Sequence, residues 1–175
     1  MLSLRPATPA DIPAIARIYG DSVIAGTATF ELEPPGEAEM AARLQQITAA
    51  GYPYFVAEND GAFAGYAYAG AYRIRPAYRF TVENSLYVAP DMQRRGVGRA
   101  LLAALIVECG QRGFRQMIAV IGDSPNQTAS IALHQAAGFS IVGTLADVGF
   151  KHGRWLDTLL MQRSLGDGGK APPAV

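Results

Sequence analysis

Apolar and polar positions along the chain change their period repeatedly, and each change marks the border of an element. Leu2–Arg5 is a short apolar opening. Thr8-Pro9-Ala10-Asp11 then combines a capping hydroxyl, a proline at the first helical position and an acid three residues after the cap. Ile12, Ile15, Ala16 and Tyr19 repeat at i, i+3, i+4 and i+7, which predicts a helix with one core-facing stripe to about Ile24. Gly26-Thr27-Ala28-Thr29-Phe30-Glu31 breaks the period as a loop, and Pro34-Pro35-Gly36 precedes a second helix over Glu37–Ala50, with Gly51 at the position after its cap. Tyr54–Asn59, the turn Asp60-Gly61 and Phe63–Tyr72 read as a β-hairpin. Arg73–Arg79 is a polar connection around Pro76. Phe80–Val88 is rich in β-branched and aromatic residues and is stopped by Pro90, so it predicts a central strand with Glu83, Ser85 and Tyr87 on one face. After the turn Gly96-Val97-Gly98, helical spacing runs to Gly110 or Gly113. Met117–Ile121 predicts a strand, Asn126–Ala137 a helix, and Ile141–Phe150 and Trp155–Gln162 two further strands.

This order calls for an α/β architecture, a mixed sheet with helices on both faces. A length of 175 residues suits one domain, here residues 1–165. The tail 166–175, with three glycines, two prolines and no apolar period, is expected to be disordered. Half the residues are apolar and 17% are charged, which excludes a disordered chain. The formal net charge is zero, so the bulk field draws neither nucleic acid nor an anionic membrane, and any phosphate binding must be local. Of the 15 basic residues only Lys151 and Lys170 are lysines, and arginine is the better partner for carboxylates and phosphates. Cys109 stands alone, which excludes an internal disulfide, and its setting at the end of an apolar helix makes it a packing thiol. With no apolar signal segment at the start, and Ala100–Val107 the longest apolar run against the ~20 residues a membrane span needs, a cytoplasmic protein is expected. With only two histidines, no metal site is expected.

The stretch from Val82 to Leu102 holds the densest chemistry. A strand runs into a glycine turn that opens a helix, whose unpaired N–H groups and dipole make an anion site. Gly96 and Gly98 admit close backbone approach, and Arg94, Arg95 and Arg99 supply countercharge for a guest such as pyrophosphate. The loop lacks the Gly-Lys-Ser/Thr of a P-loop and the G-x-G-x-x-G of a dinucleotide site.

Gln93-Arg94-Arg95-Gly96-Val97-Gly98 resembles the pyrophosphate loop of the GNAT superfamily of acyl-CoA-dependent N-acetyltransferases, Gln/Arg-x-x-Gly-x-Gly/Ala after a central strand. A second landmark of that family is similar to Ser130-Ile131-Ala132-Leu133-His134-Gln135-Ala136-Ala137-Gly138-Phe139, with His134 where tyrosine is commoner. The resemblance spans roughly residues 2 to 165 and implies a fold of about seven strands flanked by four helices, with acetyl-CoA as donor and an amine as acceptor. Within the family, Thr27–Glu31, Arg73–Arg79 ahead of Thr81-Val82-Glu83, Leu133-His134 and Lys151–Asp157 look like the phosphinothricin and methionine sulfoximine (or sulfone) acetyltransferases. That branch implies a small amino acid analogue as acceptor, a homodimer and a role in resistance to such analogues. The apolar last strand, Leu159 to Met161, also suggests the dimer. In one departure, Pro125-Asn126-Gln127-Thr128-Ala129 is one residue longer than the usual Asn-x-x-Ser, so either Asn126 or Gln127 matches the residue that contacts the coenzyme.

Aminolysis of a thioester needs a neutral amine, a base for its proton, donors for the oxyanion and a route to protonate the thiolate. Glu83, on the central strand ten residues before Gln93, is the expected base, a surface glutamate being the plainer reading of the residue alone. His134 is either the donor to the coenzyme sulfur or a packing histidine. His152 is either a solvated turn residue or a second base at the acceptor site. Resemblance assigns Leu86, Tyr87, Val88, Arg94–Arg99 and Asn126 to the coenzyme, and Thr29, Phe30, Arg73, Arg75, Tyr78, Asn84 and Ser85 to the acceptor, with Trp155 as a further wall. Arg73 and Arg75 alternate by two, so they form either a clamp for a carboxylate and a tetrahedral headgroup or a solvated pair. Asp157 reads as structural. Two other functions fit the residues less completely: acetylation of another amine (a polyamine, an antibiotic or a protein N-terminus), and acyl-CoA sensing without catalysis.

Overall fold

The computed structural model describes residues 1–173. Its elements run β1 (Leu2–Pro6), α1 (Ile12–Ala25), α2 (Glu37–Ala49), β2 (Tyr54–Asn59), β3 (Ala62–Ala71), β4 (Thr81–Val88), α3 (Val97–Gln111), β5 (Gln116–Gly122), α4 (Thr128–Ala136), β6 (Ser140–Lys151) and β7 (Arg154–Ser164). The strands form one sheet in the order β1-β2-β3-β4-β5-β7-β6, antiparallel except where β4 lies beside β5. This is the mixed sheet of seven strands and four helices that the hydrophobic periods predict.

Local chemistry explains the borders. Asp60 and Gly61 both adopt positive φ, 52° and 81°, as a two-residue hairpin turn between right-twisted strands requires. Strand alternation then feeds two cores. Val56 and Tyr66 meet Ile15, Ile18, Val23, Met40 and Leu44 of α1 and α2 on one face. Ala57, Val82, Met117 and Met161 meet Leu101, Leu102 and Leu105 of α3 on the other. Burying such side chains is the main stabilising term, worth ~1.5–3 kcal/mol for each large one.

The parallel pair is short. Register between β4 and β5 runs from Thr81–Gln116 to Asn84–Ala119 and stops there. Beyond it Ser85–Val88 and Val120–Gly122 part, and the sheet opens into a fork whose backbone edge on β4 has no strand partner on that side.

Two expectations are corrected. Helix α4 starts at Thr128 and not at Asn126, because Asp123 takes a left-handed conformation (φ 53°) and Pro125 turns the chain through Ser124–Asn126 before a helix can begin. Leu159 and Met161 face the core, 5% and 0% exposed, whereas β6 and the start of β7 carry a run of uncovered apolar side chains: Ile141, Val142, Leu145, Val148, Phe150 and Trp155. Of the tail expected to be disordered, residues 166–169 form turns and the chain continues past Arg115, whose guanidinium bonds Asp167 and the carbonyl of Pro172. Residues 174 and 175 lie outside the described residues. No helix among the described residues is long and apolar enough to cross a membrane.

Candidate active site

The fork between β4 and β5 opens a cavity of about 300 Å³. Glu83, Ser85 and Tyr87 of β4 line it, Thr29 and Phe30 of the α1–α2 loop close one side, and Ser130 and His134 of α4 close another. The parting strands are the reason it exists here, since a continuous ladder would leave no room between them.

Glu83 is partly buried, and burial is what raises its carboxyl above the ordinary value of 4.5. Among the described residues no cation pairs with it. An unpaired, partly desolvated carboxylate beside a cavity is suited to accept a proton.

His134 is buried at 4% exposure, and its ring is held at both nitrogens. Nδ1 donates to the Ser130 carbonyl at 2.8 Å, while Nε2 accepts from the Asn84 side-chain amide at 3.0 Å. A carbonyl only accepts and an amide NH2 only donates, so these partners describe a neutral imidazole protonated at Nδ1. Burial pushes its pKa down, in keeping with that form.

At the far end of β4 the chain turns into α3 through Arg94 and Gly96, both at positive φ (59° and 81°). The first amides of α3 have no capping side chain, and Arg94, Arg95 and Arg99 around the turn are exposed. The two glycines act differently. At Gly96 a Cβ would meet nothing within 4 Å, so glycine serves the left-handed backbone. At Gly98 a Cβ would meet only ordinary contacts, 3.4 Å from Leu133 and 3.6 Å from Leu86 and Val88, where α3 packs on β4 and α4. Leu86 and Val88 thus support the helix from the strand.

The α1–α2 loop is pinned by residues far off in sequence. The Phe30 ring occupies the space where Cβ atoms of Gly122 and Gly149 would lie, at 2.6 and 2.3 Å from its carbons. Buried Lys151 donates to the Thr29 carbonyl at 2.9 Å, and the Thr29 hydroxyl lies 3.1 Å from the Tyr19 hydroxyl, which donates to Glu31. Thr27 donates to Asp123 at 2.5 Å. Sequence reading placed Thr29 and Phe30 at the acceptor but missed Lys151, Gly122 and Gly149 as their supports, since only contacts across the fold reveal them.

Other expected site residues stand elsewhere within one chain. Asn126 gives its side-chain amide to the Asp123 carboxylate, at 3.0 and 3.2 Å, and Gln127 lines the cavity in its place. His152 stands exposed in the β6–β7 turn at φ 50°, outside the cavity lining. Arg73 is exposed, with its guanidinium over the rings of Tyr72 and Tyr78 at 5.2 and 5.8 Å. Arg75 ends the extended run, because Pro76–Tyr78 coils into a short 3-10 turn. Tyr78 lines a second hollow of about 240 Å³ together with Tyr72, Thr81, Val142 and Leu160, and the Arg73 guanidinium stands over its ring. Trp155 is 61% exposed and lies edge-on to Phe150. Asp157 is structural, accepting from the backbone and hydroxyl of Ser124, each at 2.8 Å.

The chain is similar to characterised proteins over nearly its whole length. It is 55% identical over 163 residues to a phosphinothricin N-acetyltransferase of Alcaligenes faecalis, covering 93% of this chain and 82% of that one. It is 38% identical over 173 residues to an L-methionine sulfoximine/L-methionine sulfone acetyltransferase of Salmonella typhimurium, covering 99% of each. A GNAT superfamily phosphinothricin acetyltransferase of Sinorhizobium meliloti, solved in complex with AcCoA, superposes with a TM-score of 0.96 at 53% identity, covering 99% of this chain and 93% of that one. The family model described as an acetyltransferase (GNAT) domain matches residues 4–160. With that match, the fork between β4 and β5 and the glycine turn into α3, the chain belongs to the GNAT family of N-acetyltransferases.

Proposed function

We propose that this enzyme transfers the acetyl group of acetyl-CoA to the α-amino group of a small amino acid with a tetrahedral side-chain headgroup, such as phosphinothricin, methionine sulfoximine or methionine sulfone. The observation that carries the reading is Glu83: a carboxylate raised by burial, with no cation partner, at the mouth of the fork. The amides opening α3, flanked by Arg94, Arg95 and Arg99, suit the pyrophosphate of the coenzyme. The free edge of β4 over Ser85–Val88 suits the amide-bearing arm that leads to the thioester, as an added strand would. Glu83 then takes a proton from the acceptor's ammonium. The lone pair so freed forms the bond to the acyl carbon, and the carbon–sulfur bond breaks.

Arg73 and Arg75, which stand outside the Glu83 cavity of their own chain, are proposed as the clamp for the carboxylate and headgroup oxygens of an acceptor bound across the interface with a second copy. A homodimer is proposed with them, since the uncovered apolar residues of β6 include Val142, which also lines the hollow beside Tyr78. A second copy on that face would cover both. Leu145→Asp should then give a monomer by sedimentation, and a monomeric wild type would discard the dimer. A cytoplasmic location fits the single, buried Cys109.

Release of free thiol from acetyl-CoA, measured across a panel of amines, tests the function. Phosphinothricin, methionine sulfoximine and methionine sulfone should outrun polyamines and aminoglycosides in kcat/KM. The reverse ranking replaces the acceptor class, and tight coenzyme binding without turnover of any amine would make the chain a sensor.

A further inference from the structure

We propose that Asn84 is a positioning residue that holds His134 as the neutral Nδ1–H tautomer with its Nε2 lone pair occupied, leaving Glu83 as the group that takes the amine's proton. The tautomer stands on geometry alone, and only its catalytic consequence rests on the acetyl transfer proposed above.

The ring has a partner at each nitrogen. Ser130, one turn earlier on α4, offers only a carbonyl to Nδ1, and Asn84 offers its amide NH2 to Nε2. So engaged, the imidazole has no free lone pair for an incoming proton and no proton on Nε2 to give a thiolate.

Turning the Asn84 amide over would place Oδ1 against Nε2 and require a second proton on the ring. The surroundings do little to hold that charge. Helix α4 and strand β5 carry no carboxylate, and the Phe139 ring stands edge-on at 5.0 Å. From β4 the ionisable groups on the cavity are Glu83 and Tyr87. Below α4 the Asp123 carboxylate is bound by Arg154, and Asp157 is bound by Ser124. The cation Arg163 of β7 donates to the Ala137 carbonyl at the end of the helix. Burial, with no ion pair to oppose it, favours the neutral ring.

Asn84 itself leaves a mark of the arrangement. It is 7% exposed, and its Oδ1 is buried without a hydrogen-bond partner. A buried acceptor left unpaired is unfavourable, and here it is the consequence of presenting the NH2 group to the ring.

The proton count closes without histidine. The acceptor ammonium gives one proton to Glu83, nitrogen bonds to the acyl carbon, and the carbon–sulfur bond breaks. The second nitrogen proton passes to the departing sulfur, so the coenzyme leaves as a thiol and Glu83 returns its proton to water.

Nitrogen-15 NMR of the full chain labelled at histidine tests this, with His152→Gln used to assign the two rings. In the wild type His134 should show a protonated Nδ1 and a bare Nε2 at pH 7, and should take its second proton only below its ordinary value of 6.5. The acid limb of kcat/KM should follow a different group and disappear in Glu83→Gln. In Asn84→Ala the Nε2 signal should change and the ring should titrate higher, and in Asn84→Asp the imidazolium should persist at pH 7. An Nε2–H or imidazolium form in the wild type, a His134 titration that coincides with the rate limb, or an Asn84→Ala ring identical to wild type would each overturn the assignment. The spectrum reports the tautomer whether or not any amine is acetylated, so a failure of the proposed acceptor would appear in the rates alone.

Discussion

Lys151, the last residue of β6, donates its ammonium to the backbone carbonyl of Thr29 at 2.9 Å, joining positions 122 residues apart. Burial lowers the lysine's pKa, so the charge is held at a cost, and what it secures is the position of the loop that carries Thr29 and Phe30. Lys151→Met keeps the volume and removes the donor. Acceptor KM should rise roughly tenfold, about 1.4 kcal/mol of binding, with the KM for acetyl-CoA unchanged. Steady-state kinetics with each substrate varied decides it, and an unmoved acceptor KM would disconnect the lysine from the site.

Glu83→Gln should lower kcat by ~10²–10⁴ while coenzyme binding persists, because the amide fills the space but accepts no proton. The variant should also be more stable at neutral pH. Burial raises the carboxyl in the folded state, so between its ordinary value of 4.5 and the raised one the native protein binds more protons than the unfolded chain. Wild-type stability therefore falls as pH rises through that window, whereas the glutamine variant does not share the loss. Thermal unfolding of both proteins at pH 4 and pH 7 should show the Tm gap opening only at the higher pH.

The Phe30 ring fills the place of the missing Cβ at Gly149, so Gly149→Ala should dislodge the ring and disturb the acceptor wall. Phe30→Leu should relieve part of that clash. A double-mutant cycle on acceptor kcat/KM should give a coupling of about 1 kcal/mol or more, and strict additivity would place the ring elsewhere in solution.

At the turn into α3, Gly96→Val should raise the acetyl-CoA KM at least about tenfold, because a branched residue cannot hold φ 81°. Gly96→Asn should lose less, since asparagine tolerates the left-handed region. Gly98→Ala should be mild, its Cβ meeting ordinary contacts at 3.4 to 3.6 Å. If the asparagine and valine variants proved equally poor, the backbone argument would fail.

Periodicity made the elements legible because each buries a face: the stripe of α1, the alternation of β2 and β3, and the apolar run of β5 all read directly. The position of Glu83 on the central strand and of the glycine turn at its exit was legible too, being local to one strand. What escaped was contact across the fold. Nothing near Phe30 announces Gly122 and Gly149 as its slot, and Asn84 meets His134 from 50 residues away. Arg73 and Arg75, two apart in the polar connection, lie outside the lining of the Glu83 cavity, which their spacing alone does not reveal. Of the two alternatives, Asn126 and Gln127, a left-handed aspartate turns Asn126 back onto Asp123 and leaves Gln127 on the cavity, which the residue spacing does not signal.

The four residue pairs that join β4 to β5 are the whole seam between two halves of the sheet, β1–β4 on one side and β5, β7 and β6 on the other. A ligand lying along the free edge of β4 would act as a splint across that seam, continuing the join where the strand pairing between the halves ends. Coenzyme at one hundred times its Kd should then add about 2.7 kcal/mol to global stability. Within that gain, the amides of Ser85–Val88 should show the steepest slowing of hydrogen exchange, because on this proposal the coenzyme completes the sheet there.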